Sequence, residues 1–329
     1  MLACNDVVKR FAIRRTWGSR QVTVVNRVSV SVEASQVLCI VGESGCGKTT
    51  LGKVLAGLLT PTLGSVMVDG TLLYHSGNKA WEREALKIQL IHQDPFSTLN
   101  PVHTVREELS LPLLHHQIVP KSMVGEECEH LLTRTGLDPK VVIDKYPHEL
   151  SGGQRQRVVL ARALSVRPRY IVADEAVSMV DVSSRLIMLD LFLQIAREER
   201  IGLVFITHDF GLARYVALEG TIAVMYLGRV VEFGGTETVI HQPRHPYTKV
   251  LLSSIPPLQA GDDFKIDKVY PRSFDVPSLE LLPPGCVFEP RCPYAFDRCQ
   301  SALPGLSTVV NEPGHQVACY LEDEETAVV

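Results

Sequence analysis

The chain has no long apolar run. None of its hydrophobic stretches reaches the ~20 residues a helix needs to span a bilayer. Its start, Met1-Leu2-Ala3-Cys4-Asn5-Asp6, lacks the basic and then apolar layout of a secretory leader. Positive charge is not in excess either. There are 33 Lys and Arg against 37 Asp and Glu, a net charge of −4, which speaks against a nucleic-acid-binding surface. Long internal repeats are absent. These absences lead to the expectation of a cytoplasmic protein with no nucleic-acid partner, whose role at a membrane would come through other chains. At 329 residues, 45% hydrophobic and 21% charged, it suits one large globular domain or two unequal ones.

What is present begins with one loop, Gly42-Glu43-Ser44-Gly45-Cys46-Gly47-Lys48-Thr49-Thr50, which fits the phosphate-binding pattern G-x-x-x-x-G-K-[ST]. Val37 to Val41 before it is an unbroken apolar run that reads as a strand. Leu51 to Leu59 after it reads as a helix. In that setting the glycines let backbone N–H groups turn inward around phosphate oxygens, and the helix N-terminus adds favourable partial charge. Lys48 would reach the β- and γ-phosphates, and the Thr49 hydroxyl would hold Mg²⁺. A glycine turn that binds nothing is the plain alternative, and the lysine–threonine pair argues against it.

The rest of the chain alternates strands and helices. Asp6–Phe11 and Val22–Val32 read as strands, separated by a basic, turn-like stretch from Arg14 to Arg20. Further strands are expected at 65–70, 88–93, 170–175, 203–208, 221–226 and 230–233, the last two joined by a turn at Leu227-Gly228-Arg229. A helix-rich stretch from Thr104 to Ser165 carries periodic leucines, with breaks expected at Pro112, Pro120, Pro139 and Pro147, and Ser183–Glu199 reads as one helix. Near residue 256 proline becomes frequent, cysteine gathers and periodicity fades, which places a domain boundary there.

A second constellation follows the loop. Leu150-Ser151-Gly152-Gly153-Gln154 opens a helix, with Ser151 as its N-cap. Asp174 and Glu175 end an apolar strand. In this company the chain resembles the ATP-binding-cassette (ABC) ATPases over roughly residues 5–255: phosphate loop, glutamine loop at Gln93, signature at 150–154, acidic pair, Asp181, then His208, all in the family's order. The resemblance implies an α/β P-loop NTPase with a mostly parallel sheet, an antiparallel β subdomain, and a helical subdomain at roughly 97–165, all within residues 1–255. It also implies the roles. Phe11 would stack on adenine, where the family often has Tyr. Lys48 and the loop backbone would hold phosphates, and Thr49, Gln93 and Asp174 would hold Mg²⁺. Glu175 would polarise the attacking water, and His208 would contact the γ-phosphate. Ser151, Gly152, Gly153 and Gln154 would close the site of a second cassette, so a dimer is expected. Hydrolysis here is a matter of positioning and charge stabilisation. Two departures stand out: Ala176 replaces the family's usual Pro after the glutamate, and Ser178-Met179-Val180-Asp181 replaces the usual Ser-Ala-Leu-Asp.

Local residues narrow the likeness. The Cys46-containing loop, Gln93-Asp94-Pro95-Phe96-Ser97-Thr98-Leu99-Asn100-Pro101 and His245-Pro246-Tyr247-Thr248 are similar to the oligopeptide/dipeptide-permease ATPases, with Cys46 and Phe96 favouring the F-type subunit over its D-type companion. That implies an ATPase on the cytoplasmic face of a membrane, paired with a second ATPase subunit, two permeases and a solute-binding protein. The cargo would be peptides or related solutes such as oligosaccharides or nickel. Other readings are a regulatory cassette in an asymmetric pair, which Ala176 keeps open, and a soluble non-transport ABC ATPase. Residues 256–329 match that subfamily's C-terminal extension. Its Cys286, Cys292, Cys299 and Cys319 are spaced C-x5-C-x6-C-x19-C, without the close pair usual in structural zinc sites. Four thiolates can hold an iron–sulfur cluster, and the resemblance supports a [4Fe–4S] centre. Free or disulfide-capable cysteines are the alternative.

Overall fold

A computed structural model describes residues 1–14, 19–74, 84–253 and 268–322. Residues 15–18 of the basic stretch expected as a turn from Arg14 to Arg20, and the boundary expected near residue 256, lie outside the described residues; Arg14 and Arg20 themselves belong to strands. The chain divides into two compact units. One comprises 1–2, 33–36 and 68–204, and the other 3–32, 37–67 and 205–329.

The second unit holds the phosphate loop. Its central strand is Val37–Val41, with Leu38 to Val41 fully buried, as a strand covered on both faces requires. It pairs in parallel with Thr221–Tyr226, with Ile40 opposite Ala223. Arg229–Gly235 then turns back antiparallel on Thr221–Tyr226, with a bulge between Val230 and Glu232. Leu227 (φ 42°) and Gly228 (φ 81°) make that turn where it was expected. The short strand Gln316–Val317 adds antiparallel to Arg229–Gly235, and Ser307–Thr308 adds antiparallel to it in turn. These antiparallel additions make the sheet mixed, beside the parallel pairing of its central strand. Antiparallel strands are joined by a tight turn, whereas parallel ones need a crossover. A separate sheet runs in the order Ser19–Val32, Leu2–Arg14, Leu63–Val68. Ser19–Val32 is 14 residues long and Leu2–Arg14 is 13, so both outrun the strands read from the sequence, the second by more than half its length. Left-handed residues Asp6 and Arg27 interrupt the regular alternation inside them.

The first unit carries Asp174, Glu175 and the run of helices that precedes them. Ile88–Ile91 pairs in parallel with Tyr170–Asp174, every residue of which is buried. Between them in sequence come helices Val105–His115, Val124–Arg134, Pro139–Val142 and Gly152–Leu164. Thr104 caps the first with a full capping box to Glu107. Pro112 does not break this helix, contrary to the sequence expectation. The helix continues one turn to His115, because Val105, Leu109 and Leu113 bury one face and hold it. Among the described residues no helix is long and apolar enough to cross a membrane.

Candidate nucleotide site

The residues forecast for the site fall into two sets, one in each unit. In the second unit, Gly42, Gly45 and Gly47 adopt φ of 154°, 78° and 104°. A Cβ on Gly47 would stand 2.4 Å from the Val24 carbonyl oxygen, and one on Gly42 would stand 2.1 Å from that of Met225. The loop is thus pressed against the backbone of its neighbours, and only glycine satisfies both the torsion and the space. Gly47 leads into the helix Lys48–Leu55 without a side-chain cap, so its first N–H groups face the loop. The Lys48 side chain is buried, and its ammonium donates to the carbonyls of Gly42 (2.7 Å) and Glu43 (2.9 Å). The charge that phosphates would meet is therefore already at the loop's centre. Thr49 is exposed, Thr50 half-buried, and Ser44 exposed. Cys46 is buried, and burial pushes its thiol pKa up. Phe11 is 39% exposed, with the Lys9 ammonium 5.3 Å from its ring centroid. His208 is exposed at the end of strand Gly202–Thr207. It is followed by Asp209, whose carboxylate caps helix Phe210–Val216 by accepting from the N–H groups of Gly211 and Leu212.

In the first unit, Asp174 is buried at the strand end, and Glu175 follows with φ 48°. A left-handed, non-glycine residue is strained, and such strain gathers at functional positions. Ala176 and Val177 are buried behind it, and Asp181 caps helix Val182–Glu198 through the Ser184 N–H (3.0 Å). The signature opens as read. The Ser151 hydroxyl accepts from Gln154 N–H (3.2 Å), while the Gln154 side chain accepts from Ser151 N–H (3.0 Å). Gly152 and Gly153 form the first turn, and a Cβ on Gly153 would meet open space. Gln93 is exposed just past strand Ile88–Ile91. Its loop is tied to the signature helix twice. The Arg155 guanidinium stacks 3.7 Å from the Phe96 ring centroid, and buried Glu108 accepts from both Asn100 N–H (2.9 Å) and Arg162 (2.7 Å). Sequence reading missed Arg155, Arg162 and Glu108, which carry no motif signal of their own.

Comparison with known proteins decides the family. The family model described as "ABC transporter" matches residues 25–178, and that described as "Oligopeptide/dipeptide transporter, C-terminal region" matches residues 231–299. A probable peptide ABC transporter ATP-binding protein, y4tS, of Sinorhizobium fredii is 38% identical, with 98% of this chain and 90% of the relative covered. The oligopeptide transport ATP-binding protein AppF of Bacillus subtilis is 37% identical over 98% of this chain and 97% of its own. The dipeptide transport ATP-binding protein DppF of Escherichia coli is 36% identical over 99% and 95%. This chain belongs to the oligopeptide/dipeptide ABC-transporter ATP-binding proteins. Its fold is the ABC cassette. The cassette MJ0796, solved as a dimer in a post-hydrolysis state with ADP and Pi, superposes with TM-score 0.63 at 25% identity, covering 72% of this chain and 99% of that one. The chain is accordingly an ATPase of the ABC type.

The cysteines of this ABC ATPase divide as expected in position. Cys286, Cys292, Cys299 and Cys319 line one cavity together with His245, Phe288 and Tyr320. All are free thiols. Burial raises the pKa of Cys286, and that of Cys292 to about 11 and of Cys319 to about 12. Yet among the described residues no three His, Cys, Asp or Glu side chains are grouped to hold a metal ion. The expectation of an iron–sulfur centre thus finds its donors around one cavity but no assembled ligand set. The matched family descriptions name no metal.

Proposed function

We propose that this chain is the ATP-hydrolysing subunit of an importer for peptides or related solutes, working at the cytoplasmic face of a membrane beside two permeases, a second ATPase and a solute-binding protein. The observation that carries the reading is full-length similarity to peptide-transport ATP-binding proteins. The glycine loop organised around a buried Lys48 supports it. In this reading Lys48 and the loop N–H groups hold the β- and γ-phosphates of ATP. Thr49, Gln93 and Asp174 hold Mg²⁺, Glu175 orients and polarises the attacking water, and His208 meets the γ-phosphate. Phe11 stacks on the adenine. Ser151 to Gln154 serve the site of a facing cassette, so ATP closes a dimer and hydrolysis opens it. The cassette takes residues 1–255 and the extension 256–329. Relatives named AppF and DppF favour the F-type subunit and hence a heterodimer.

The decisive experiment is extraction of the tagged chain from native membranes in mild detergent, with identification of what accompanies it. Recovery of two permeases, a second ATPase and a solute-binding protein is expected. Recovery on ribosomes or nucleic acid, without permeases, overturns the transport reading and leaves the ATPase standing.

A finer part concerns the four cysteines. Their gathering on one cavity supports a [4Fe–4S] centre held by Cys286, Cys292, Cys299 and Cys319, where it would act as a structural or redox group. Iron and acid-labile sulfide, assayed on anaerobically purified protein, are expected in equal amounts. Their joint absence removes the cluster.

A further inference from the structure

Glu43 sits inside the phosphate loop, and all three of its polar groups are held. Its carbonyl accepts from Lys48, and its N–H donates to the Tyr247 hydroxyl (2.9 Å). Its carboxylate takes both arms of the Arg291 guanidinium, at 2.7 and 2.9 Å. Arg291 comes from the C-terminal extension, 248 residues away in sequence, in the short turn Glu289–Arg291. It is nearly fully buried, and it donates also to the Tyr226 hydroxyl (3.3 Å) and the Ser273 carbonyl (3.2 Å). The same extension comes over the loop a second time. Val276, Pro277 and Leu279 line a 350 Å³ cavity with Ser44, Gly45 and Cys46.

A bidentate arginine–carboxylate pair fixes direction as well as distance, and a fork cannot be replaced by a point charge. The loop it grips contains three glycines at positive φ, so it has many conformations to lose on binding phosphate. Fixing it beforehand removes that cost from the binding step.

We propose that Arg291 is a positioning residue for ATP: the C-terminal extension reaches back into its own cassette and holds the phosphate loop, through Glu43, in the form that receives the nucleotide. This rests on the reading that residues 42–50 bind ATP. The extension is then part of the nucleotide site and not only an appendage carrying cysteines.

The test uses the full-length chain and a fluorescent ATP analogue. Kd is measured for Arg291→Lys, Arg291→Gln, Glu43→Gln, the double variant Arg291→Gln/Glu43→Gln, and Lys48→Ala. Each single change at 43 or 291 is expected to weaken binding about tenfold, and the double variant no more than either single, since one interaction is lost once. In turnover assays the loss is expected in KM more than in kcat. Should Arg291→Gln fail to fold, Glu43→Gln carries the same prediction from the other end. Wild-type affinity in the singles, with Lys48→Ala impaired, overturns the clamp and leaves the nucleotide site. Losses that add in the double variant also overturn it, since they would mean two independent structural defects. Wild-type binding by Lys48→Ala overturns the site reading, and the clamp with it.

Discussion

In the proposed mechanism Glu175 is the residue on which the chemistry turns. It follows a fully buried strand, and its left-handed torsion is a strain that only a well-supported turn maintains. Replacing it with Gln keeps the shape and removes the charge that polarises water. Glu175→Gln is therefore expected to lower phosphate release by at least ~10²-fold while binding the ATP analogue as tightly as wild type. Rapid turnover by that variant would reassign the catalytic group. The regulatory-cassette reading that Ala176 keeps open makes the opposite forecast, since a cassette that hydrolyses nothing has no turnover to lose. Gly47 gives a second residue-scale forecast. Its Cβ would overlap the Val24 carbonyl, and a backbone carbonyl cannot yield as a flexible side chain can. Gly47→Ala should abolish analogue binding, with the protein still folded by circular dichroism.

At the scale of elements, the signature helix depends on its cap. Ser151 and Gln154 satisfy two N–H groups reciprocally, and no acidic residue in the first turn supplements them. Ser151→Ala should cost ~1 kcal/mol of unfolding free energy in urea titrations. Ser151→Asp, which can cap and also suits the positive end of the helix, should recover most of it. Elements of this kind were legible in the sequence because their signals are local: an apolar run, a glycine loop, a serine three residues before a glutamine. The helix through Pro112 was not legible. A proline's local cost is visible in a sequence, whereas the face of Val105, Leu109 and Leu113 that offsets it becomes decisive only when buried. The long strand Leu2–Arg14 was cut short for a related reason: left-handed Asp6, where the expected strand began, breaks the period-two pattern without ending the strand.

At the scale of the whole chain, the motif order was legible, and the long-range pairs were not. Nothing in the sequence links Arg291 to Glu43, or His315 to Glu232, because charge pairs across a fold leave no period. The His315 pair shows how the extension is fastened to the cassette's strand Arg229–Gly235. Buried Glu232 accepts from Arg244 N–H, His245 N–H and His315 Nε2 (2.8 Å), while His315 Nδ1 meets Glu312 (2.6 Å), itself paired with Arg244. Desolvation works against the imidazolium, but two carboxylates outweigh it, and the His315 pKa is raised above its ordinary value. Against desolvation, the contacts of Glu312 with Arg244 first and then with His315 lower its pKa. A histidine whose folded pKa is raised gives stability that is complete below its unfolded value of about 6.5 and is lost as pH climbs through the folded one. Glu312 contributes the other limb, lost as pH falls below the ordinary carboxylate range. His315→Gln should therefore lower Tm most near pH 6, and the gap to wild type should narrow steadily toward pH ~9. A gap that stays constant across that range would mean that His315 is neutral in the fold and that the extension is held by packing and neutral hydrogen bonds alone.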